Sequence, residues 1–146
     1  MKSFTCLALV ITLSSCSAKV SVTPSPTAAW IPIGESRFGD IISMDTGTLS
    51  YPEGQSRVWV RIDYKKLQSL KQNATQFYSS FNCSDHTFRT MRQVELGTMG
   101  ETIKDQSINM QPKRVMPLST EGIAFQQICW AKKASNLDNS SDKPRN

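Results

Sequence analysis

The sequence predicts one α+β domain on an exported chain. Its 146 residues suffice for a single compact core. Short segments that alternate apolar and polar residues fill the middle of the chain, and an N-cap followed by a helical pattern closes it. The composition, 38% hydrophobic and 20% charged, is that of a folded body and excludes a wholly disordered chain.

The first 15 residues have the composition of an export signal. Lys2 supplies a positive charge, and an apolar run follows at residues 4–13. This run is shorter than the roughly 18 to 20 residues that a membrane-spanning helix needs, and it fits the hydrophobic region of a signal peptide. We therefore expect residues 1–15 to be a signal peptide.

The segment Leu13-Ser14-Ser15-Cys16 resembles the lipobox of bacterial lipoproteins. The resemblance implies that Cys16 becomes the mature N-terminus, carries acyl chains such as palmitate, and anchors the protein to a membrane. Several acyl chains give lasting attachment because each buried CH₂ contributes about 0.8 kcal/mol. The residue that follows the cysteine is Ser17 and not an aspartate, and in this the segment resembles lipoproteins that are sent to the bacterial outer membrane. The alternative is ordinary secretion with cleavage after Ala18.

Polar segments flank the predicted domain, which spans residues 30–131. Residues 16–29 contain Pro24 and Pro26 among Ser, Thr and Ala, a composition that favours an extended tether between the lipid and the domain. Residues 132–146 hold few apolar side chains and are predicted to be a disordered polar tail.

The charge distribution disfavours nucleic acid as a partner. The whole chain has a formal charge of +5, but residues 30–131 contain eleven basic and ten acidic residues. The domain is therefore close to neutral, unlike a typical nucleic-acid-binding domain. A basic stripe that includes Arg61, Lys65, Lys66 and Lys71 is interpreted as a solvated strand edge.

Strand patterns dominate the first half of the domain. Residues 30–33 and 39–45 are predicted as short strands, separated by a glycine-containing turn. The clearest strand covers residues 58–66. Its alternation predicts a core face and a solvent face, with Val58, Val60, Ile62 and Tyr64 on the first and Trp59, Arg61, Asp63 and Lys65 on the second.

The second half combines strands with the helix. Residues 67–80 are compatible with a short helix and with an irregular excursion, because poor helix formers interrupt the helical spacing of the apolar residues. Residues 81–96 are predicted as one long strand, followed by a turn at 97–100 and a partner strand at 101–108. Alternation in the long strand puts Arg92 and Arg89 on opposite faces. Residues 113–116 are predicted to form a short edge piece, and a helix is predicted from the N-cap Ser119 to Trp130.

The cysteines predict one disulfide. Cys6 belongs to the signal and Cys16 to the lipid anchor, which leaves Cys83 and Cys129 as a pair in an oxidising compartment. The competing interpretation is a catalytic thiol next to His86, but no recognised nucleophile motif accompanies it.

The motif search favours a binding protein over an enzyme. The chain contains no G-x-S-x-G, Gly-rich phosphate loop, H-E-x-x-H or EF-hand pattern. His86 is the single histidine and is interpreted as a surface residue instead of a haem ligand. We therefore expect no catalytic residue, no cofactor and no metal. Trp59 and Arg61 are the candidate protein contacts because Trp and Arg are enriched at binding hot spots. Cover of Trp59 by a loop or by the tether is the alternative.

A set of residues in fixed order resembles the surface-adhesin protein E family of bacterial lipoproteins. The set is Trp30, Met44-Asp45, Val58-Trp59-Val60-Arg61, Cys83, Arg89, Gly100, Val115-x-Pro117-x-Ser119 and Cys129. The resemblance implies an antiparallel sheet of about six strands, a helix packed on it and one disulfide. It also implies an outer-membrane lipoprotein that binds host proteins such as vitronectin and laminin, and haem binding is described in the family. No binding position of the family matches a residue of this chain, so none is assigned.

These observations predict a non-catalytic binding module, lipid-anchored in the bacterial outer membrane. The expected role is that of a surface adhesin that contacts host or envelope proteins through the solvent-facing side of its sheet; the partner is unidentified. The alternative is a periplasmic accessory subunit of an envelope complex.

Overall fold

The computed structural model describes residues 28–66 and 71–141, with helix side chains as far as Ala134. The predicted signal peptide, the lipidation site Cys16 and nearly all of the tether lie outside these residues. The described chain forms seven strands and a C-terminal helix: β1 Trp30–Glu35, β2 Ile41–Asp45, β3 Ser56–Asp63, β4 Gln72–Asn82, β5 Thr87–Gly97, β6 Thr102–Ser107, β7 Lys113–Arg114 and α1 Thr120–Ser141. No helix within the described residues is both long enough and apolar enough to cross a bilayer.

The strands form one antiparallel sheet in the order β1-β2-β3-β4-β5-β6. Each strand is therefore a neighbour of the one before it in sequence, which short turns make possible. The small strand β7 pairs with the start of β5. The predicted α+β class, with its antiparallel sheet and C-terminal helix, is confirmed.

The helix packs on one face of the sheet and closes the larger core. Ile42, Val58, Val60 and Phe81 of the sheet meet Ala124, Phe125 and Ile128 of α1, and all seven are buried. Burial of each large apolar side chain contributes roughly 1.5 to 3 kcal/mol. The predicted core face of β3 is thus correct for Val58 and Val60.

A disulfide fastens the helix to the sheet. Cys83 lies in the turn between β4 and β5, Cys129 lies in α1, and their Cα atoms are 5.6 Å apart. The bond confirms the predicted pair. Neither sulfur is a free thiol, so the catalytic interpretation of Cys83 with His86 is wrong.

Residues 72–82 form a strand, so the expectation of a helix or an irregular excursion over 67–80 is wrong for this part; residues 67–70 lie outside the described residues. Pairing with β3 on one side and β5 on the other overrides the weak helical spacing, because residues 74–81 gain cross-strand partners on both sides. The long strand predicted over 81–96 is divided, since the chain turns between Asn82 and Thr87.

The helix begins where the sequence predicts and ends later. The Ser119 hydroxyl accepts a hydrogen bond from the Gly122 amide at 3.0 Å, which confirms the N-cap. The helix then continues past Trp130 to Ser141, into the segment predicted to be a disordered tail. Residues 131–141 contain neither glycine nor proline, and their alanines, lysines and leucine permit helix. Residues 142–146 of that tail lie outside the described residues.

Candidate protein-binding face

The face of the sheet opposite the α1 contacts carries four arginines, and we call it the arginine face. The register of β3, β4 and β5 places its residues in four cross-strand rows. The rows are Arg57–Ser80–Arg89, Trp59–Tyr78–Arg92, Arg61–Gln76–Val94 and Asp63–Ala74–Leu96. Because directly opposite residues share a face of the sheet, each row brings side chains from three strands together.

Trp59 is the structural centre of this face. Its side chain is 0% exposed and packs with Ala74, Val94 and Leu96 in a second core cluster. The Tyr78 ring lies 5.4 Å from it. The prediction that Trp59 faces solvent as a protein contact is therefore wrong. Strand alternation assigns a side chain to a face, but neighbouring strands decide whether that face is covered.

Arg61, the other candidate contact, stays partly accessible. Its side chain is 28% exposed and forms a bidentate ion pair with Asp63, at 2.9 Å from Nε and 2.5 Å from Nη2 to the Oδ1 atom. The guanidinium also lies 6.0 Å from the centre of the Trp30 ring. The pair holds Arg61 in one orientation beside an aromatic ring, an arrangement frequent at interfaces.

Arg92 on β5 repeats this arrangement two strands further along the sheet. Its guanidinium lies 5.9 Å from the Trp59 ring and forms a bidentate pair with Asp105 of β6, at 2.9 Å from Nε and 2.6 Å from Nη2. The hydrogen bond with Arg92 lowers the pKa of the Asp105 carboxyl, and the same bond raises the pKa of Arg92. Arg92 covers one side of the buried indole and presents its charge at the surface.

Arg57 and Arg89 differ from the other two arginines. The Nε atom of each is buried and has no hydrogen-bond partner, and no carboxylate within the described ranges forms an ion pair with either guanidinium. Ser80 lies between them in the row and donates its hydroxyl hydrogen bond to Gln55 Oε1 at 2.6 Å. These two cations are therefore the uncompensated charges of the arginine face.

A β-bulge brings Arg89 and Arg92 onto the same face. Tyr78 opposes Arg92 and Ser79 opposes Thr90, so Met91 has no partner in the register. The extra residue reverses the alternation between Arg89 and Arg92. The prediction that they lie on opposite faces is wrong for this reason, and the sequence contains no glycine or proline there to signal the bulge.

The predicted surface histidine lies away from the arginine face. The His86 ring is 5.3 Å from that of Phe125, and with Cys83, Cys129, Lys132 and Lys133 it lines an open groove of about 460 Å³. No cluster of three or more potential metal ligands occurs in the described part of the chain. A larger groove of about 780 Å³ lies beside the start of α1, where Phe38, Met116 and Leu118 are exposed.

The comparisons with known proteins agree with this architecture. The family model described as surface-adhesin protein E matches residues 30–130. The chain belongs to the surface-adhesin protein E family. Its strands β1 to β7 and the disulfide-bearing part of α1 all lie within the matched residues. Among solved structures, the protein E of Haemophilus influenzae is similar, with a TM-score of 0.50 and 12% sequence identity over 75% of this chain and 89% of that chain.

The likeness to the Haemophilus influenzae structure shows the fold alone at this identity. No curated protein sequence matches the chain. The family membership predicted from the scattered residue pattern is confirmed.

Proposed function

We propose that this protein E relative is a lipid-anchored outer-membrane adhesin that binds a protein partner through the arginine face and catalyses no reaction. Family membership supports a surface adhesin. The lipobox-like segment at Cys16 supports the anchor, and the tether would hold the domain away from the lipid head groups.

The observation that carries the proposal is the composition of the arginine face. Binding hot spots are enriched in Trp, Tyr and Arg, and they form where a rigid platform supports partly exposed side chains. Here Tyr78, Arg61 and Arg92 are partly exposed around the buried Trp59. The ion pairs restrict both arginines before binding, which reduces the entropy lost when a partner docks.

Co-purification from the native membrane tests the binding face. We expect wild-type protein extracted in detergent to retain its partner and the double variant Arg61→Ala/Arg92→Ala to lose it. Lys113→Ala is the matched control, because it removes an exposed positive charge from the other face of the sheet. Lys113 opposes Phe88, and Phe88 packs on the helix-side core. Retention of the partner by the double variant, with loss in the control, would place the contact elsewhere.

Candidate host ligands follow from the family. Vitronectin and laminin are the first proteins to test, immobilised on a surface and presented with cells that display the wild-type or the double-variant chain. Adhesion by wild-type cells alone supports the proposed face. Equal adhesion by both strains would refute it for that ligand.

Location requires a separate measurement. Protease treatment of intact cells should remove the domain if it is displayed outwards. Protection of the domain, with digestion only after the outer membrane is opened, would instead support the periplasmic accessory subunit. Intact mass of the mature protein should show acyl chains on Cys16, and an unmodified N-terminus at Lys19 would show cleavage after Ala18.

A further inference from the structure

We propose that the row Arg57–Ser80–Arg89 binds two carboxylates of an acidic segment in the partner protein. This inference rests on the proposed function, because it names the chemistry of the partner that the arginine face would hold. It assigns a role to the two arginines that no acidic residue of the described chain compensates.

The register fixes the separation of the two cations. Arg57 and Arg89 lie on either side of Ser80, so two strand spacings separate their Cα atoms, about 9 to 10 Å. Carboxylates at positions i and i+2 of an extended segment project to one side about 7 Å apart. Each arginine can therefore take one carboxylate, since its long side chain spans the small difference.

The lack of a counter-charge makes the row receptive to an anion. The Nε–H group of each arginine is buried without an acceptor, and no carboxylate of the described chain forms an ion pair with either guanidinium. The two neighbouring arginines on this face have bidentate carboxylate partners in Asp63 and Asp105. A carboxylate supplied by the partner would give Arg57 and Arg89 charge-assisted pairs of their own, made through the terminal nitrogens because each Nε is buried.

The charge pattern favours an acidic protein segment over a nucleic acid or another linear polyanion. Polyanion binding depends on many cations along a continuous track. On this face Asp63 and Asp105 interrupt the track, because they neutralise Arg61 and Arg92 and present carboxylate oxygens of their own. A segment with a few acidic residues over the first row, and neutral or aromatic residues over Tyr78, matches the pattern.

A titration with a defined peptide tests the inference. The full-length mature protein is titrated with a synthetic peptide of alternating glutamate and threonine, and the Nε–Hε signals of the arginines are followed by NMR. Signals of Arg57 and Arg89 should shift first. Arg57→Gln and Arg89→Gln should each weaken binding about tenfold, as expected when one charge-assisted hydrogen bond is lost.

Controls separate this row from general charge attraction. Arg37→Gln removes the same charge from an exposed site off the face and should leave the affinity unchanged. The matching peptide of glutamine and threonine should not bind. Arg57→Lys should retain part of the affinity, and unfolding curves of all variants identify any that are destabilised. Equal weakening by Arg37→Gln, or tighter binding of a DNA duplex than of the acidic peptide, would overturn the inference.

The native partner distinguishes the two levels of the proposal. If co-purification is lost in Arg61→Ala/Arg92→Ala but persists in Arg57→Gln/Arg89→Gln, the binding face stands and the carboxylate row is refuted. If neither double variant loses the partner, both proposals are wrong.

Discussion

The disulfide provides a prediction whose size follows from the chain itself. Replacing both cysteines, Cys83→Ser/Cys129→Ser, removes a link between residues 46 positions apart in the sequence. Loop closure of this length restricts the unfolded chain by about 4 kcal/mol in the chain-entropy description. Small domains have unfolding free energies of roughly 5 to 15 kcal/mol, so the double variant should lose a large share of its stability.

Guanidinium unfolding measures this loss directly. A domain of this size has a denaturant dependence of roughly 2 to 6 kcal/mol per molar, so a loss of about 4 kcal/mol should lower the midpoint by about 0.7 to 2 M. Unfolding in the presence of a reductant provides the control. The reductant should lower the midpoint of the wild type, which has the disulfide, and leave the midpoint of the double serine variant unchanged. A loss below about 1 kcal/mol would refute the reasoning, since it would mean that the unfolded chain gains little freedom when the link is removed.

Three further changes test other parts of the fold. Ser119→Ala removes the acceptor for the Gly122 amide and should cost about 1 kcal/mol in thermal unfolding, whereas Ser119→Asn should be nearly neutral. Gly34→Ala should destabilise by about 1 to 3 kcal/mol, because the new Cβ would lie 2.6 Å from Ile123 Cγ2; an unchanged midpoint would show that α1 moves freely. Arg92 lowers the pKa of Asp105 below its unfolded value of about 3.9, so this stabilisation is complete above that pH and is lost as the pH falls through the lower folded pKa. Asp105→Asn should therefore lose less stability than the wild type on acidification below about pH 4, and equal acid sensitivity would contradict the pairing.

Local sequence signals predicted the elements that local chemistry determines. Ser119 marks the helix start because a hydroxyl at the N-cap satisfies a free amide, and that rule needs no tertiary information. The turn at residues 97–100 and the returning strand β6 follow from glycine and alternation in the same way. The pair Cys83 and Cys129 was left by elimination, and the bond confirms it.

Contacts between neighbouring strands determine the features that local sequence patterns did not predict. Residues 72–82 have weak preferences of their own, and two neighbouring strands make them a central strand. The burial of Trp59 depends on side chains from β4 and β5, which alternation within β3 cannot supply. The bulge at Met91 likewise depends on register, and it turned two arginines assigned to opposite faces into parts of one surface.

Gly122 has a structural role that its helix propensity does not indicate. In the sequence it is a helix-weakening glycine that costs about 1 kcal/mol relative to alanine. In the structure a Cβ at this position would lie 2.3 Å from the Met116 carbonyl oxygen. The glycine therefore permits the close approach of the β7–α1 connection to the first turn of the helix.

Site-specific photo-cross-linking tests most directly whether the arginine face holds the partner. A photo-activatable phenylalanine analogue at position 78 lies on that face and leaves Arg61 and Arg92 in place, and one at position 126 lies at an exposed position on α1. We predict that illumination of intact cells joins the partner to the chain from position 78 and leaves position 126 unlinked. Adducts formed from position 126 alone would contradict the assignment of the binding face.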